Sequence, residues 1–343
     1  MCRLVLSRDY GYACPPDNIE IGATAVTRIA ILDDYHNIAL QSADWGSLPK
    51  GCDISVFNHH LGPAAAVIAA LQEFDVIVAM RERTPFPASV IQSLPNLKLL
   101  VTTGMRNNAI DMQAAREKDI PVCGTSMAPY AAFEHTWALI LAIAKNIPRA
   151  DRCMREGAWQ SEPGMGLNGK TLGVLGLGKL GSKVARVGLA FDMKVIAWSQ
   201  NLTEQRAKEC GATLVDKETL FEKSDILTIH LILGERTRGI VGRDEFGRMK
   251  SSAFLVNTSR GPIVDEDALI EALRTKMIAG AAIDVFDIEP LPAHHPLRSI
   301  ENTVLTGHTG YLLRETFQIA YGGALEDVKG WLEGKPVRVL NEG

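Results

Sequence analysis

The stretch that most constrains this chain is Gly176-Leu177-Gly178-Lys179-Leu180-Gly181, because of what flanks it. Residues 171–175 read as a short buried strand running into the glycines, 182–191 as a helix, and 194–198 as the next strand. A strand, a glycine turn, a helix and a second strand within about 30 residues form the setting of a dinucleotide fingerprint. Gly176 permits the tight turn, Gly178 lets the backbone approach a pyrophosphate, and Gly181 lets the helix pack on its strand. The helix start, with Lys179 and Leu180, offers N–H groups to the phosphates. A chain committed to this unit needs a parallel sheet around it.

At 343 residues the chain is too long for one average core, and two domains are expected. Its 46% hydrophobic and 22% charged residues are ordinary for a globular protein. The net charge of −4 argues against a nucleic-acid partner held by phosphate contacts. No run is long and apolar enough to span a bilayer, so no membrane partner is expected. The six cysteines, at 2, 14, 52, 123, 153 and 210, show neither CxxC nor metal-like spacing. They read as reduced thiols of a cytoplasmic protein without a metal site. Residues 1–25 have no clear periodicity and too short an apolar run for a signal peptide; they read as an extension.

Upstream of the glycines, apolar runs at 28–32, 53–57, 76–79, 97–101 and 120–122 alternate with helix-like stretches at 64–71, 89–94 and 110–118. That alternation implies βαβ units and a parallel sheet. Between 131 and 147 the pattern changes. Phe133, Trp137, Ile140, Leu141, Ala144 and Ile147 recur at three- and four-residue spacing and Pro148 follows, which predicts one long connecting helix. Beyond the fingerprint, strands at 195–198, 226–229, 253–257, 280–283 and 303–305 alternate with helices at 203–209, 217–222, 243–249 and 266–274. A last helix covers 316–332.

Arg260, Asp284 with Glu289, and His308 each fall just past the carboxyl end of an expected parallel strand, the edge where open α/β sheets bind ligands. Alone, each reads more readily as ordinary loop chemistry. Together, a cation, carboxylates and an imidazole beside a dinucleotide point to proton transfer coupled to hydride transfer.

Four motifs in order, Gly176–Gly181, Asn257-Thr258-Ser259-Arg260-Gly261, Asp284-Val285-Phe286 through Glu289-Pro290, and His308 with Gly310, resemble those of the D-isomer-specific 2-hydroxyacid dehydrogenases. The resemblance runs from about residue 26 to 340. It implies His308 as acid/base, Glu289 as its partner, and Arg260 as the group that grips a 2-oxo acid. It implies Asp284 at the nicotinamide, and Thr258, Ser259 and Gly310 beside the cofactor. The loop 103–107 would bind the substrate carboxylate through Gly104, Met105 and Arg106, with Arg81 nearby. The fold implied is α/β, with two doubly wound parallel-sheet lobes and a cleft between them. A Rossmann cofactor domain would span 126–312, and a flavodoxin-like substrate domain 26–125 with 313–343. The helix at 131–147 and the arm with Trp159 resemble the family's dimer-forming region, so a homodimer is expected.

Two departures stand out. Gly307 precedes the histidine where the family commonly has Pro, and His230-Leu231-Ile232 replaces the common His-x-Pro. Cofactor choice is also open. About 20 residues past the glycines a carboxylate normally takes the ribose of NAD; here stand Ser199 and Gln200, and only Arg206 is available for a 2′-phosphate. The expectation is NAD with tolerance for NADP, and a small 2-oxo or 2-hydroxy acid as substrate. The rivals are an NAD-sensing co-repressor-like protein and a formate dehydrogenase of the same fold.

Overall fold

The computed structural model describes residues 26–160 and 162–342, so the extension expected at 1–25 lies outside it. The chain divides into two compact units, one running to Thr125 and resuming at Tyr321, the other Ser126–Ala320. In the first, strands β1 (Thr27–Ile31), β2 (Cys52–Val56), β3 (Val76–Ala79), β4 (Leu99–Thr102) and β5 (Val122–Gly124) alternate with helices. These helices are α1 (Ala39–Ser42), α2 (Ala64–Leu71), α3 (Ala88–Gln92) and α4 (Met112–Glu117). The sheet is all parallel, in the order β2-β1-β3-β4-β5. Ala30, Ile77, Ala79, Leu100 and Val122 form one buried face with Val67, Leu71, Val90, Ile91 and Ala115 from the helices. The apolar runs expected to start strands at 97 and 120 start them two residues later. Leu97 and Ile120 are buried, but they enter the core from the turns before the ladder begins. Edge strand β5 is covered by the chain's end: Leu340 N donates to Val122 O and Gly124 N to Arg338 O.

The second unit begins with helices α5 (Ala131–Ala144) and α6 (Ile147–Arg155), where the periodicity predicts a single helix to 147. Asn146, in the left-handed region at φ 54°, ends the run, and Pro148 sits in the first turn of the next helix, where its missing N–H costs nothing. Strands β6 (Thr171–Leu175), β7 (Lys194–Trp198), β8 (Thr213–Leu214), β9 (Ile226–Ile229), β10 (Phe254–Asn257), β11 (Gly280–Ile283) and β12 (Thr303–Leu305) make a parallel sheet ordered β12-β11-β10-β9-β6-β7-β8. Helices α7 (Lys179–Ala190), α8 (Glu204–Glu209), α9 (Lys217–Lys223), α10 (Arg243–Arg248) and α11 (Glu266–Arg274) connect them. The last helix, α12 (Arg314–Leu332), carries the chain from the second unit back to the first.

Side chains alternate across this sheet, as strand geometry requires. Leu227, Ile229, Leu255 and Ile283 pack under α9, α10 and α11, while Val174, Val195, Val256 and Ala282 pack under α5 and α7. Both faces are covered, which is why the central strands read as unbroken apolar runs. The apolar stripe of α5 is used up here: Trp137, Leu139, Ile140 and Ile143 are buried in their own unit, and Trp137 stacks on Phe191 with centroids 5.2 Å apart. Among the described residues no helix is long and apolar enough to cross a membrane.

Candidate active site

The order β9-β6 in the seven-stranded sheet marks the point where successive connections run in opposite directions, and a ligand crevice is expected at its carboxyl edge. The glycine turn lies there. Gly176 has φ 101°, and a Cβ on it would stand 2.8 Å from the backbone of His230, so only glycine lets the loops after β6 and β9 close together. A Cβ on Gly181 would come within 2.0 Å of Gly176 O, which presses α7 against its own turn. Gly178 is different: nothing lies within 4 Å of its missing Cβ. That open backbone, followed by the unpaired first N–H groups of α7 at Lys179, Leu180 and Gly181, fits a pyrophosphate.

One flank of the turn is a cavity of about 560 Å³ whose lining includes Trp198, Ser199, Gln200, Leu214, Asp216 and Thr219. Ser199 and Gln200 follow directly on β7, where an adenosine ribose is expected. Arg206 is not part of that lining; it pairs with Glu209 at 3.4 Å on α8. Between the two flanks, burial pushes the His230 imidazole down to about 4, so it stays neutral near pH 7, with Nε2 3.0 Å from Thr228 Oγ1. Leu231 packs into the core and accepts a hydrogen bond from Ser259 Oγ, while Ile232 is exposed.

The other flank is a web of side chains. Asn257, at the end of β10, donates to Arg260 O at 3.0 Å and accepts from Ser259 N at 3.0 Å, shaping the turn that presents Arg260. Thr258 Oγ1 is 2.7 Å from Thr136 Oγ1 on α5. A Cβ on Gly261 would meet Phe286 backbone at 2.1 Å, so this turn lies directly against the loop after β11. From that loop Glu289 reaches His308: Oε2 is 2.6 Å from Nδ1, while Oε1 accepts from Phe286 N at 3.0 Å. With Nδ1 engaged, Nε2 is the nitrogen left to meet a ligand. His308 stands in the left-handed region at φ 54°, and its ring meets Tyr311 edge-on. Gly307 does not restrain it. Its pose comes instead from Glu289, from Tyr311 and from its own N–H, which donates to Asp284 O at 2.7 Å.

Asp284, expected at the nicotinamide, is 1% exposed and is the hub of the loop. Its carboxylate accepts from Thr306 Oγ1, from Thr309 N at 2.8 Å and from Gly310 N at 3.0 Å. Burial pushes this acid up, but the hydrogen bonds, His135 foremost, outweigh it and hold the group below the usual carboxylate range. His135 Nε2 lies 3.2 Å from Asp284 Oδ1. This histidine escapes the sequence reading because it stands within an apolar helix. The signal was there: at four-residue spacing between Ala131 and Leu139, His135 falls on the buried stripe, and a buried polar group needs a partner.

In the first unit the carboxyl edge of the sheet is built differently. Gly104, at φ 108°, donates its N–H to Thr125 Oγ1 at 3.2 Å. Asn107 ties the loop down, donating to Arg81 O at 2.7 Å and Thr102 Oγ1 at 2.9 Å, while Met105 and Arg106 are exposed. Arg81 lies along its own loop, with Nη1 donating to Thr103 O at 3.3 Å and the guanidinium 3.4 Å from Glu82.

Comparison with known proteins follows the same division. Residues 137–310 match a family model described as the NAD binding domain of D-isomer specific 2-hydroxyacid dehydrogenases. The chain is 38% identical over 276 residues to a D-3-phosphoglycerate dehydrogenase of Archaeoglobus fulgidus, covering 79% of this chain and 52% of that protein. It thus spans about half the length of that relative. A glyoxylate reductase of Aeropyrum pernix is 36% identical over 306 residues, covering 86% of this chain and 91% of that one. Among solved structures, a phosphoglycerate oxidoreductase from Vibrio cholerae o395 superposes with a TM-score of 0.85 at 35% identity, covering 90% of this chain and 99% of the other.

Proposed function

Since the chain belongs to the D-isomer specific 2-hydroxyacid dehydrogenase family, we propose that it moves a hydride from NADH to a small 2-oxo acid, forming the D-2-hydroxy acid and NAD, or the reverse. The observation that carries this reading is the His308–Glu289 pair, 2.6 Å apart, in the same sheet edge as Arg260 and an open glycine turn. Bound NADH supplies the hydride. Reduction leaves the substrate oxygen in need of a proton, and imidazolium His308 donates it from Nε2. Glu289 fixes a proton on Nδ1, which leaves Nε2 to face the substrate. In the oxidative direction the neutral ring, with Nδ1–H on Glu289, keeps the Nε2 lone pair as base. Arg260 offers the fork that a carboxylate accepts in two bonds. Asp284 holds the loop bearing His308, Thr309 and Gly310, and through it the nicotinamide end of the cofactor. Met105 and Arg106 offer backbone N–H groups to the substrate carboxylate, while Gly104, whose own N–H is held by Thr125 Oγ1, shapes their loop beside Arg81.

NADP is accepted less well than NAD in this reading. The protein is read as cytoplasmic on its thiols, since Cys52, Cys123, Cys153 and Cys210 are all free. The homodimer rests no longer on α5, whose face is buried, but on α6 and the arm after it. There Ile147, Met154 and Trp159 are 54%, 50% and 79% exposed. A monomer mass in sedimentation at micromolar concentration would count against it.

The activity test is a spectrophotometric panel of glyoxylate, hydroxypyruvate, pyruvate, phenylpyruvate and bulkier 2-oxo acids with NADH and NADPH. At least one acid should oxidise NADH. Tight NADH binding with no turnover of any acid would favour a nucleotide-sensing protein, and formate-dependent NADH formation a formate dehydrogenase.

A further inference from the structure

Residue 199 directly follows the strand after the glycine turn, the place where a carboxylate usually takes the adenosine ribose, and here it is Ser199. The neighbouring strand supplies a carboxylate instead. β7 and β8 run parallel with Ile196 opposite Thr213 and Ala197 opposite Leu214. Val215 N–H continues the ladder onto Ala197 O at 3.2 Å. The ladder ends there; carried two residues further, its register would bring Asp216 next to Ser199. Asp216 and Ser199 line the same cavity, and among its described lining residues Asp216 alone is charged.

The chemistry of this carboxylate suits a ribose. Oδ1 accepts from Thr219 N at 2.7 Å, capping α9, and hydrogen bonds from Thr219 hold the acid below its ordinary range. A carboxylate has about four lone-pair sites, so capping leaves acceptors for hydroxyls. None of its described lining residues is a cation that could receive a phosphate, and Arg206, outside the lining, is paired with Glu209 on α8.

We propose that Asp216 sets the preference for NAD over NADP, accepting from the adenosine ribose hydroxyls and repelling a 2′-phosphate. It does from the end of the β8 segment what an acidic residue at 199 would do from the end of β7. The assignment rests on reading this unit as the dinucleotide site. Because Asp216 is exposed, the repulsion is screened over a Debye length of about 8 Å at physiological salt. A change of about tenfold in selectivity is expected.

The test uses binding, not turnover. NADH and NADPH are titrated by calorimetry into the wild-type protein, Asp216→Asn and Asp216→Ser, at low and high salt. Serine and asparagine both serve as N-caps, so α9 keeps its start, and melting temperatures check this. Expected is tighter binding of NADH by wild type, and a ratio of the two Kd values that falls about tenfold in both variants. Added salt should shrink the preference of wild type and leave that of the variants nearly unchanged. An unaltered ratio in folded variants of a protein that binds NADH overturns the role of Asp216 alone. A wild type that binds neither nucleotide overturns the dinucleotide reading and this assignment with it.

Discussion

The two halves of the carboxyl edge of the seven-stranded sheet, β10–β12 on one side and β6–β8 on the other, do opposite things with their polar groups. Past β10–β12 the groups are already spent on one another. Glu289 holds His308, Asp284 gathers the Thr306 hydroxyl, two backbone N–H groups and His135, and Asn257 folds the turn under Arg260. Past β6–β8 they are kept open: Gly178 has nothing near its missing Cβ, and Ser199, Gln200 and Asp216 border a cavity. In the proposed reaction charge develops only past β10–β12, where groups fixed in advance would stabilise it without reorganising. Past β6–β8, where the adenosine is proposed to lie, nothing would react, and free donors and acceptors are what a nucleotide needs.

The largest break in this contrast should come from His308→Gln. The substitution keeps a polar side chain but no titrating nitrogen, so turnover should fall by about 10²–10⁴-fold, the usual contribution of a general acid–base group. NADH affinity should barely move. Near wild-type turnover would remove His308 from the chemistry.

Gly178→Ala probes the open half. The turn has room for a methyl group, so the melting temperature should hold, while a phosphate seated on that backbone should be displaced. NADH should bind about tenfold more weakly, a loss of about 1.4 kcal/mol. Unchanged affinity would mean that the pyrophosphate lies elsewhere. Gly181→Ala makes the internal control, because its Cβ would strike Gly176 O and the fold itself should suffer.

His135→Ala removes a donor from the Asp284 hub without touching His308. A hydrogen bond to a charged group contributes about 1.5–3 kcal/mol, but four donors remain, so kcat should drop by several-fold up to about tenfold. The KM for NADH should change less than kcat. His135→Gln, which can offer a side-chain N–H, should recover part of the loss; a merely space-filling role predicts no such rescue.

The same contrast explains what the sequence discloses. The glycine turn is legible because its requirements are local, met within a few residues of one strand and one helix. Arg260, Glu289 and His308 are legible as loop residues past strands, but their wiring is not: His135, Asp284, Thr306 and Thr309 come together from positions as much as 174 residues apart. The two-residue strand β8 is too short to show a period, and with it went the register that brings Asp216 to Ser199. The break at Asn146 was hidden for another reason. Ile147 continues the apolar spacing of α5, yet it is 54% exposed and belongs to the next helix.

The smallest expected effect refines the open half. Ser199→Asp adds a carboxylate at the end of β7, where it can accept from the ribose hydroxyls and repel a 2′-phosphate. Were residue 199 the only control, a shift of about tenfold towards NADH would follow. With Asp216 one strand away, the new charge meets a like charge first, and the two carboxylates share one ribose. The gain should shrink to about threefold, roughly 0.6 kcal/mol, in the ratio of kcat/KM for NADH and NADPH. In the Asp216→Asn background the same substitution should regain the full tenfold, because the new carboxylate then acts alone. Equal shifts in both backgrounds would show that the two positions act independently, and would separate Asp216 from the ribose.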